Sequence, residues 1–354
     1  MASKRPADRR PRRKKKKKTS ALAVVLTVLL VLIMAAAGGA AWFAIHSLNK
    51  IQRVDTENEV WISPEFETFE RDEPTETDVQ PEQGQETAAL APDIVWEKPQ
   101  PVEKNDRVHI ILLIGQDRRP GEGRARSDSM ILCAINEDKK EIRLCSLMRD
   151  MFVPFPGDFS DNRINAAYTF GGMSLLDQLI TEDFGIPIEG NVEVDFNGFI
   201  SVMNLIAPLE IDLTDAEAWY MNQGTDWMLH TGVNSLNGEQ LLRYARMRHI
   251  GNGDFERTER QRKVLNLAFN KVKNFSIAQL TELANAALPC VTTDLTNSEI
   301  LKYVYMVGAN RMSIAGNYRL PAEGTYNPQM IWGMSVLVPD LAANSTLLRE
   351  YLYQ

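Results

Sequence analysis

The sequence predicts an α/β fold, in which a central, mostly buried mixed β-sheet is sandwiched between helices and preceded by one transmembrane helix. Three observations predict it. No charged residue occurs between Lys18 and Lys50, and residues 21–45 are almost wholly apolar. Residues 108–115, V-H-I-I-L-L-I-G, form a continuous apolar run of strand length, as expected of a strand covered on both faces. Beyond it, strand-like and helix-like segments alternate, the texture of helices laid on a buried sheet.

The elements follow in order. Residues 1–18 carry eleven Lys or Arg and one acid. Lys and Arg are retained on the cytoplasmic side, so residues 1–20 read as a cytoplasmic basic tail. Residues 21–46 are long enough to span a bilayer as a helix and too long for an ordinary signal-peptide core, which favours an uncleaved anchor. The rest of the chain then lies outside the cell membrane. Residues 47–106 read as an acidic, Pro-rich linker: residues 50–106 hold sixteen acids against five basic residues, with six prolines. Such a segment buries too little apolar surface to offset its chain entropy and acts as an extended, self-repelling spacer. Trp61, Phe66 and Phe69 are the residues able to form a small local element within it.

Residues 107–354 read as one extracytoplasmic domain. After the strand at 108–115 comes a Gly- and Arg-rich loop, 116–127, then a hairpin of 130–135 and 142–147. Residues 165–170 and 173–184 look helical, with Gly171–Gly172 between them. A strand at 191–195, a helix at 196–206 stopped before Pro208, and a strand at 209–213 follow. Asn237 opens a helix with Gln240 placed as in a capping box, and a further helix starts near Asp254, which reads as its cap. The tail alternates short helical and strand signals and ends on a strand at 334–338.

The net charge of −8 conceals a mildly acidic domain, with 23 basic and 30 acidic residues from Arg107 onward. That balance argues against generic nucleic-acid binding, which depends on phosphate neutralisation. Three cysteines rule out a fully paired framework. Cys133 and Cys145 sit in apolar runs and read as buried free thiols, with a disulfide across adjacent strands as the alternative. Four histidines in the whole chain make a His-based zinc site a poor fit.

Three clusters carry chemistry. Asp117 and Asp128 end one strand and precede the next, at the strand ends where open α/β sheets hold ligands. Two carboxylates without imidazole suit Mg²⁺, with Mn²⁺ also possible, completed by phosphate and water; a solvated charged loop is the plain alternative. Arg149–Asp150 closes an apolar run and by itself reads as a surface ion pair. The third cluster, Y-A-R-M-R-H at 244–249 and D-F-E-R-T-E-R-Q at 254–261, is the most informative. Arg246 and Arg248 are two apart and project to one side in extended backbone. Arg257, Arg260 and Gln261 share a helical face in the first turns of a helix, whose amino end already favours anions. Guanidinium forks suit phosphate oxygens. A charged helix face explains Glu256, Glu259 and Lys263, but not four arginines and a glutamine directed to one place.

These residues resemble the signature of the LytR–CpsA–Psr family. The match runs through I-L-L-I-G-Q-D-R-R-P-G-E-G-R-A-R-S-D-S-M, L-M-R-D-M-F-V-P, N-R-I-N-A-A-Y-T-F-G-G, V-D-F-N-G-F, L-N-G-E-Q-L-L-R-Y-A-R-M-R-H and D-F-E-R-T-E-R-Q-R, in the family's order over residues 108–270. The resemblance implies a Mg²⁺-assisted phosphotransferase at the outer face of the membrane. It would move a teichoic acid- or capsule-type glycopolymer from a polyprenyl-pyrophosphate carrier to peptidoglycan. It implies Asp117 and Asp128 near the metal, and Arg126, Arg149, Arg246, Arg248, Arg257, Arg260 and Gln261 on the pyrophosphate. It also implies an apolar tunnel for the prenyl tail, with Phe170, Leu175, Leu179, Phe196, Phe199 and Val202 as candidates that equally suit an ordinary core. Asp117, Arg149, Arg246 and Arg257 are the expected catalytic set, with Asp117 the least poor candidate for the base. The sequence departs from the family's pattern at Leu147–Met148, at Ser129 where Thr is common, at residues 206–209, and at Glu256, an acid among the arginines that replaces a usual Gly. A lipid pyrophosphatase using water as acceptor, and a non-catalytic envelope regulator, are the competing readings. Direct gene regulation conflicts with a domain across the membrane from the chromosome.

Overall fold

The structure is a computed structural model and describes residues 48–62, 94–99, 105–116 and 124–353. The tail and transmembrane helix expected at residues 1–46 lie outside these, as do Phe66, Phe69, Asp117 and most of the linker. Among the described residues no helix is long and apolar enough to cross a membrane.

A short strand, β1 (Gln52–Arg53), precedes three long ones: β2 (Val108–Gln116), β3 (Ser127–Asn136) and β4 (Glu141–Leu147). The pair β5 (Phe152–Val153) and β6 (Asn162–Arg163) leads into helix α1 (Ala166–Phe184). Next come β7 (Gly190–Val194), α2 (Phe196–Ile206), β8 (Leu209–Leu213), α3 (Asp215–Asn222), β9 (Gly232–Leu236) and α4 (Gly238–Arg246). They are followed by α5 (Asp254–Val272), α6 (Ile277–Ala287), β10 (Val291–Thr293) and α7 (Asn297–Ala309). The chain closes with β11 (Ser313–Leu320), the hairpin of β12 (Tyr326–Ile331) and β13 (Met334–Pro339), the strand expected at 334–338, and a helix that the sequence reading did not name, α8 (Leu341–Tyr353).

Seven strands form one mixed sheet in the order β1-β10-β7-β2-β3-β4-β11. The hairpin expected at 130–147 is present, with Met130 opposite Leu147. The apolar run of β2 is divided by the pleat. Ile110, Leu112 and Ile114 join a core with α1 and α8, whereas Ile111 and Leu113 join one with α2 and α4–α7. Each such side chain contributes about 1.5–3 kcal/mol by leaving water, which is why the middle of β2, residues 110–114, is apolar on both faces. Cys133 and Cys145 are buried free thiols, and burial pushes both up to about 12.

One difference from the sequence reading and one agreement with it bear on the site. First, residues 48–62 are part of the domain rather than spacer. Leu48 and Ile51 are buried in the core, and β1 pairs in parallel with β10. Residues 94–99 also return to the domain, where Trp96 donates to Asp161 at 2.8 Å. Second, α1 is broken at Gly171–Gly172, where the sequence reading separated two helical segments. Gly172 has φ +65°, and a Cβ there would meet the Glu59 carboxylate. Glu59 instead accepts the Ser174 N–H at 2.8 Å in the first turn of the second half-helix.

At the end of β2 remote from Gln116, buried His109 lies between Glu189 (2.8 Å) and Glu137 (2.9 Å), and Tyr303 donates to the same Glu189. The Glu189 hydrogen bond lifts the imidazole pKa against burial, with Glu137 adding to it and Lys302 opposing. A raised folded pKa means that this contribution is complete below the unfolded value of about 6.5 and lost as pH rises through the folded one. The stability gap between wild type and His109→Gln is therefore expected to be widest near pH 6 and to shrink by pH 9, read from urea midpoints. A pH-independent gap would remove the imidazolium.

Candidate functional site

The site forms at the end of the sheet where β2 stops and β3 begins. Arg149, just past β4, lies at its centre. It donates from Nη1 to Asp128 Oδ1 at 3.0 Å and from Nε to Asp254 Oδ2 at 3.0 Å. Arg248, two residues past α4, reaches Asp254 at 3.2 Å and Asp128 at 3.6 Å. Arg257, in the first turns of α5, pairs with Asp254 at 3.0 Å and donates to the Asp128 carbonyl at 3.2 Å. Three guanidinium groups are thus held by two carboxylates.

The backbone at α5 explains this focus. Gly253, at φ +58°, is the N-cap and makes no side-chain cap, so Asp254 is not the cap that the sequence suggested. As first residue of the helix it is free to gather three arginines. Burial opposes its ionisation, but Arg257, Arg149 and Arg248 hold it well below the usual carboxylate range. Burial lifts Asp150 the other way, against the pull of Arg149 and with help from the Asp254 charge. Asp128 is lowered: burial is outweighed by Arg149, Arg248 and Arg257. Arg257, only 3 % exposed, is brought down by burial to about 10 and remains a cation at neutral pH.

The other expected residues divide. Gln261 accepts from Ser129 Oγ at 3.2 Å, next to Asp128. Arg246, exposed at the end of α4, lies over the Phe196 ring at 4.4 Å. Arg126 is half-buried just before β3. Arg260 does not join the arginine focus: it binds Glu217 and Glu256, each at 2.7 Å, and the Met247 carbonyl at 3.2 Å. It thereby holds the loop that carries Arg248, and Glu256, the unexpected acid, is its partner. Asp117 lies outside the described residues.

The six tunnel candidates cannot line one tunnel. Phe170, Leu175 and Leu179 belong to the core on the α1 face, and Phe199 and Val202 to the core on the opposite face. Phe196 is buried beneath Arg246.

Residues that sequence reasoning missed include Asp254 as a binder of arginines and Glu217 as the anchor of Arg260. Arg124 was missed as well; it pairs with Glu59 at 3.5 Å and donates to the Val60 carbonyl at 2.7 Å. Only Asp254 had a signal, its place inside the D-F-E-R run.

The carboxylate chemistry accommodates a hard cation. Both arginine contacts to the Asp128 side chain fall on Oδ1, and Oδ2 accepts no hydrogen bond among the described residues. Among those residues no group of three or more His, Cys, Asp or Glu gathers as a metal site. Mg²⁺ needs only one or two carboxylates beside phosphate and water.

The LytR_cpsA_psr family model matches residues 67–348. The chain is 30% identical over 224 residues to the regulatory protein MsrR of Staphylococcus aureus, covering 63% of this chain and 67% of that one. It is 34% identical over 190 residues to the polyisoprenyl-teichoic acid–peptidoglycan teichoic acid transferase TagU of Enterococcus faecalis, covering 53% of this chain and 60% of the relative. Its fold is similar to that of the family protein YwtF (TagT) of Bacillus subtilis with bound octaprenyl pyrophosphate lipid. The TM-score is 0.52 at 20% identity, over 72% of this chain and 94% of that one. With a family model matched over most of its length and the expected α/β sandwich in place, this chain belongs to the LytR–CpsA–Psr family.

Proposed function

We propose that the chain transfers a glycopolymer, of teichoic acid or capsule type, from a polyprenyl-pyrophosphate carrier to a hydroxyl of peptidoglycan. The observation that carries this reading is the focus of Arg149, Arg248 and Arg257 around Asp128 and Asp254. Before substrate arrives, the two carboxylates fix the guanidinium forks where a pyrophosphate would take them over. The acceptor oxygen forms a bond to the sugar-bearing phosphorus, and the bond from that phosphorus to the bridging oxygen breaks. Polyprenyl phosphate leaves with the electron pair, and the hydroxyl proton passes to a base. Asp117 is the proposed base. The arginines act on the charge that develops on the leaving phosphate, since such transfers depend on positioning and electrostatics.

Asp128, with Asp117, would hold Mg²⁺ or Mn²⁺, which neutralises pyrophosphate charge when bound. Residues 21–46 would anchor the chain with its domain outside the membrane. Because residues 48–62 pack on the domain, the site would then stay near the bilayer that holds a prenyl lipid. The tail would run on the α2 face of the sheet, a reading supported by Arg246, one of the expected pyrophosphate contacts, lying over Phe196 there.

The test is turnover of a synthetic polyprenyl-pyrophosphate sugar by the full-length chain in vesicles, with and without a peptidoglycan oligosaccharide. A phosphodiester product that requires the acceptor is expected. Release of sugar phosphate without acceptor would make it a pyrophosphatase, and no turnover would leave a binding or regulatory protein. Asp128→Asn should lose the chelator-sensitive part of the rate. Arg257→Ala should cost about 2 kcal/mol or more in affinity or transfer, the scale of a truncated charge-assisted contact. Arg243→Ala should cost much less, because Arg243 is spent on the Tyr220 and Gln223 carbonyls. Equal losses at both would point to general electrostatics.

A further inference from the structure

Eleven buried side-chain polar atoms have no hydrogen-bond partner among the described residues, and four of them belong to Gln116, Asn165 and Thr169. The four are Gln116 Nε2 and Oε1, Asn165 Oδ1 and Thr169 Oγ1. Gln116 is fully buried and Asn165 is 1 % exposed. The elements that carry them meet at one residue. Gln116, the last residue of β2, is paired in the sheet with Ser127, and Ser127 donates its N–H to the Asn165 carbonyl at 3.3 Å. Thr169 is one helical turn beyond Asn165 in α1.

Ser127 is also the residue before Asp128. Ser127 thus links the elements that carry these neutral polar groups to Asp128, which Arg149 and Arg248 hold. A buried amide or hydroxyl left unpaired costs about 1–3 kcal/mol. Asn165 precedes α1 yet makes no side-chain cap. Apolar side chains of the same shape would avoid that cost at all three positions, so these polar atoms are groups for an ordered water or a ligand to satisfy.

From this geometry we propose a second subsite, formed by Gln116, Asn165 and Thr169, that takes an uncharged sugar ring. An amide offers a donor and an acceptor, an amide oxygen a second acceptor, and a hydroxyl either role. That set matches neighbouring hydroxyl and amide groups of a sugar and offers no charge to a phosphate. A phosphate would go to the arginines and the attached or attacking sugar to this pocket. The proposal rests on the transfer reading for its choice of ligand, and its test is a binding measurement that needs no turnover.

The probes are polyprenyl pyrophosphate, the same lipid bearing one N-acetylated sugar, and a peptidoglycan oligosaccharide. Each is titrated against the full-length chain, and urea stability is measured alongside. Wild type is expected to prefer the sugar-bearing lipid or to bind the oligosaccharide, and the arm that responds identifies whose sugar is held. Gln116→Leu and Thr169→Val should reduce that sugar-dependent binding about tenfold, one good hydrogen bond to a buried partner. They should leave the bare lipid's affinity unchanged and stability equal or higher. If both variants lose stability while sugar discrimination stays intact, the atoms serve the fold and the subsite is overturned. Thr169→Val, nearly isosteric and only half-buried, decides the matter if Gln116→Leu fails to fold. Wild type that binds both lipids equally and ignores the oligosaccharide also overturns the subsite and leaves the pyrophosphate reading standing. Binding of neither lipid would sink both.

Discussion

Arg149→Ala is expected to abolish transfer and to lower the unfolding free energy by about 3–5 kcal/mol, the usual result of removing one partner from a buried charge group. The side chain is 12% exposed and touches three carboxylates: Asp128, Asp254 and, at 3.5 Å, Asp150. Burial works against its charge, but these acids together hold it firmly protonated. Among the described residues, its removal leaves mutually repelling acids partnered by Arg248, Arg257 and Arg163. Arg149→Lys separates the two roles. It keeps a cation among the acids but cannot reach Asp128 and Asp254 together with a planar fork. Stability should recover by more than half while turnover stays at least about 100-fold down, near 2.7 kcal/mol in barrier. Acid unfolding offers a second reading. Asp254 and Asp128 are depressed in the folded state, so their contribution is present above the unfolded pKa of about 3.9 and lost as pH falls through the folded values. Arg149→Ala should therefore shift the acid midpoint upward. An unchanged midpoint with wild-type stability would show that the arginine is not the centre of the group.

The parts of this fold that were legible in the sequence are those set by local pattern. The apolar run at 108–115, the hairpin at 130–147, and helix α2 with its stop before Pro208 are periodicity and breaker signals, and all three are present. The arginines were also legible as a group, but their division was not. Arg257 and Arg260 are three residues apart on one helix, yet Glu217 of α3, 43 residues earlier, takes Arg260 for the loop that carries Arg248. Non-local partners decide such matters. The tunnel candidates failed for a related reason: each set is apolar at helical spacing, but the face of the sheet that α1 or α2 covers depends on the crossovers. The strap at residues 48–62 was hidden by its composition, because an acidic, polar segment gives no sign of docking and its contacts span more than 200 residues.

Deleting residues 1–62 is expected to destabilise the domain by several kcal/mol and to disable the site, although none of those residues belongs to the arginine focus. Leu48 and Ile51 are core residues, and losing even one large buried side chain costs about 2–5 kcal/mol. The strand β1 also covers the edge of the sheet at β10. Beyond it, the strap crosses toward the site. Trp61 meets Phe159 with ring centroids 6.2 Å apart, Ile62 donates its N–H to the Phe170 carbonyl at 2.7 Å, and Glu59 and Val60 hold Arg124. Arg124 lies between Gln116 and Asp128, so the strap positions the segment that leads into β3. Glu59→Gln isolates this effect: it keeps the shape and the hydrogen bond from Ser174 and removes the charge opposite Arg124. Its stability should change by about 1 kcal/mol or less, the worth of an ion pair near the surface. Transfer should fall several-fold through kcal-scale misplacement of the Arg124–Asp128 segment, with lipid affinity nearly unchanged. Urea unfolding, lipid titration and turnover on the three proteins would check this. Wild-type stability and rate in the chain that lacks residues 1–62 would show that the strap rests on the domain without supporting it.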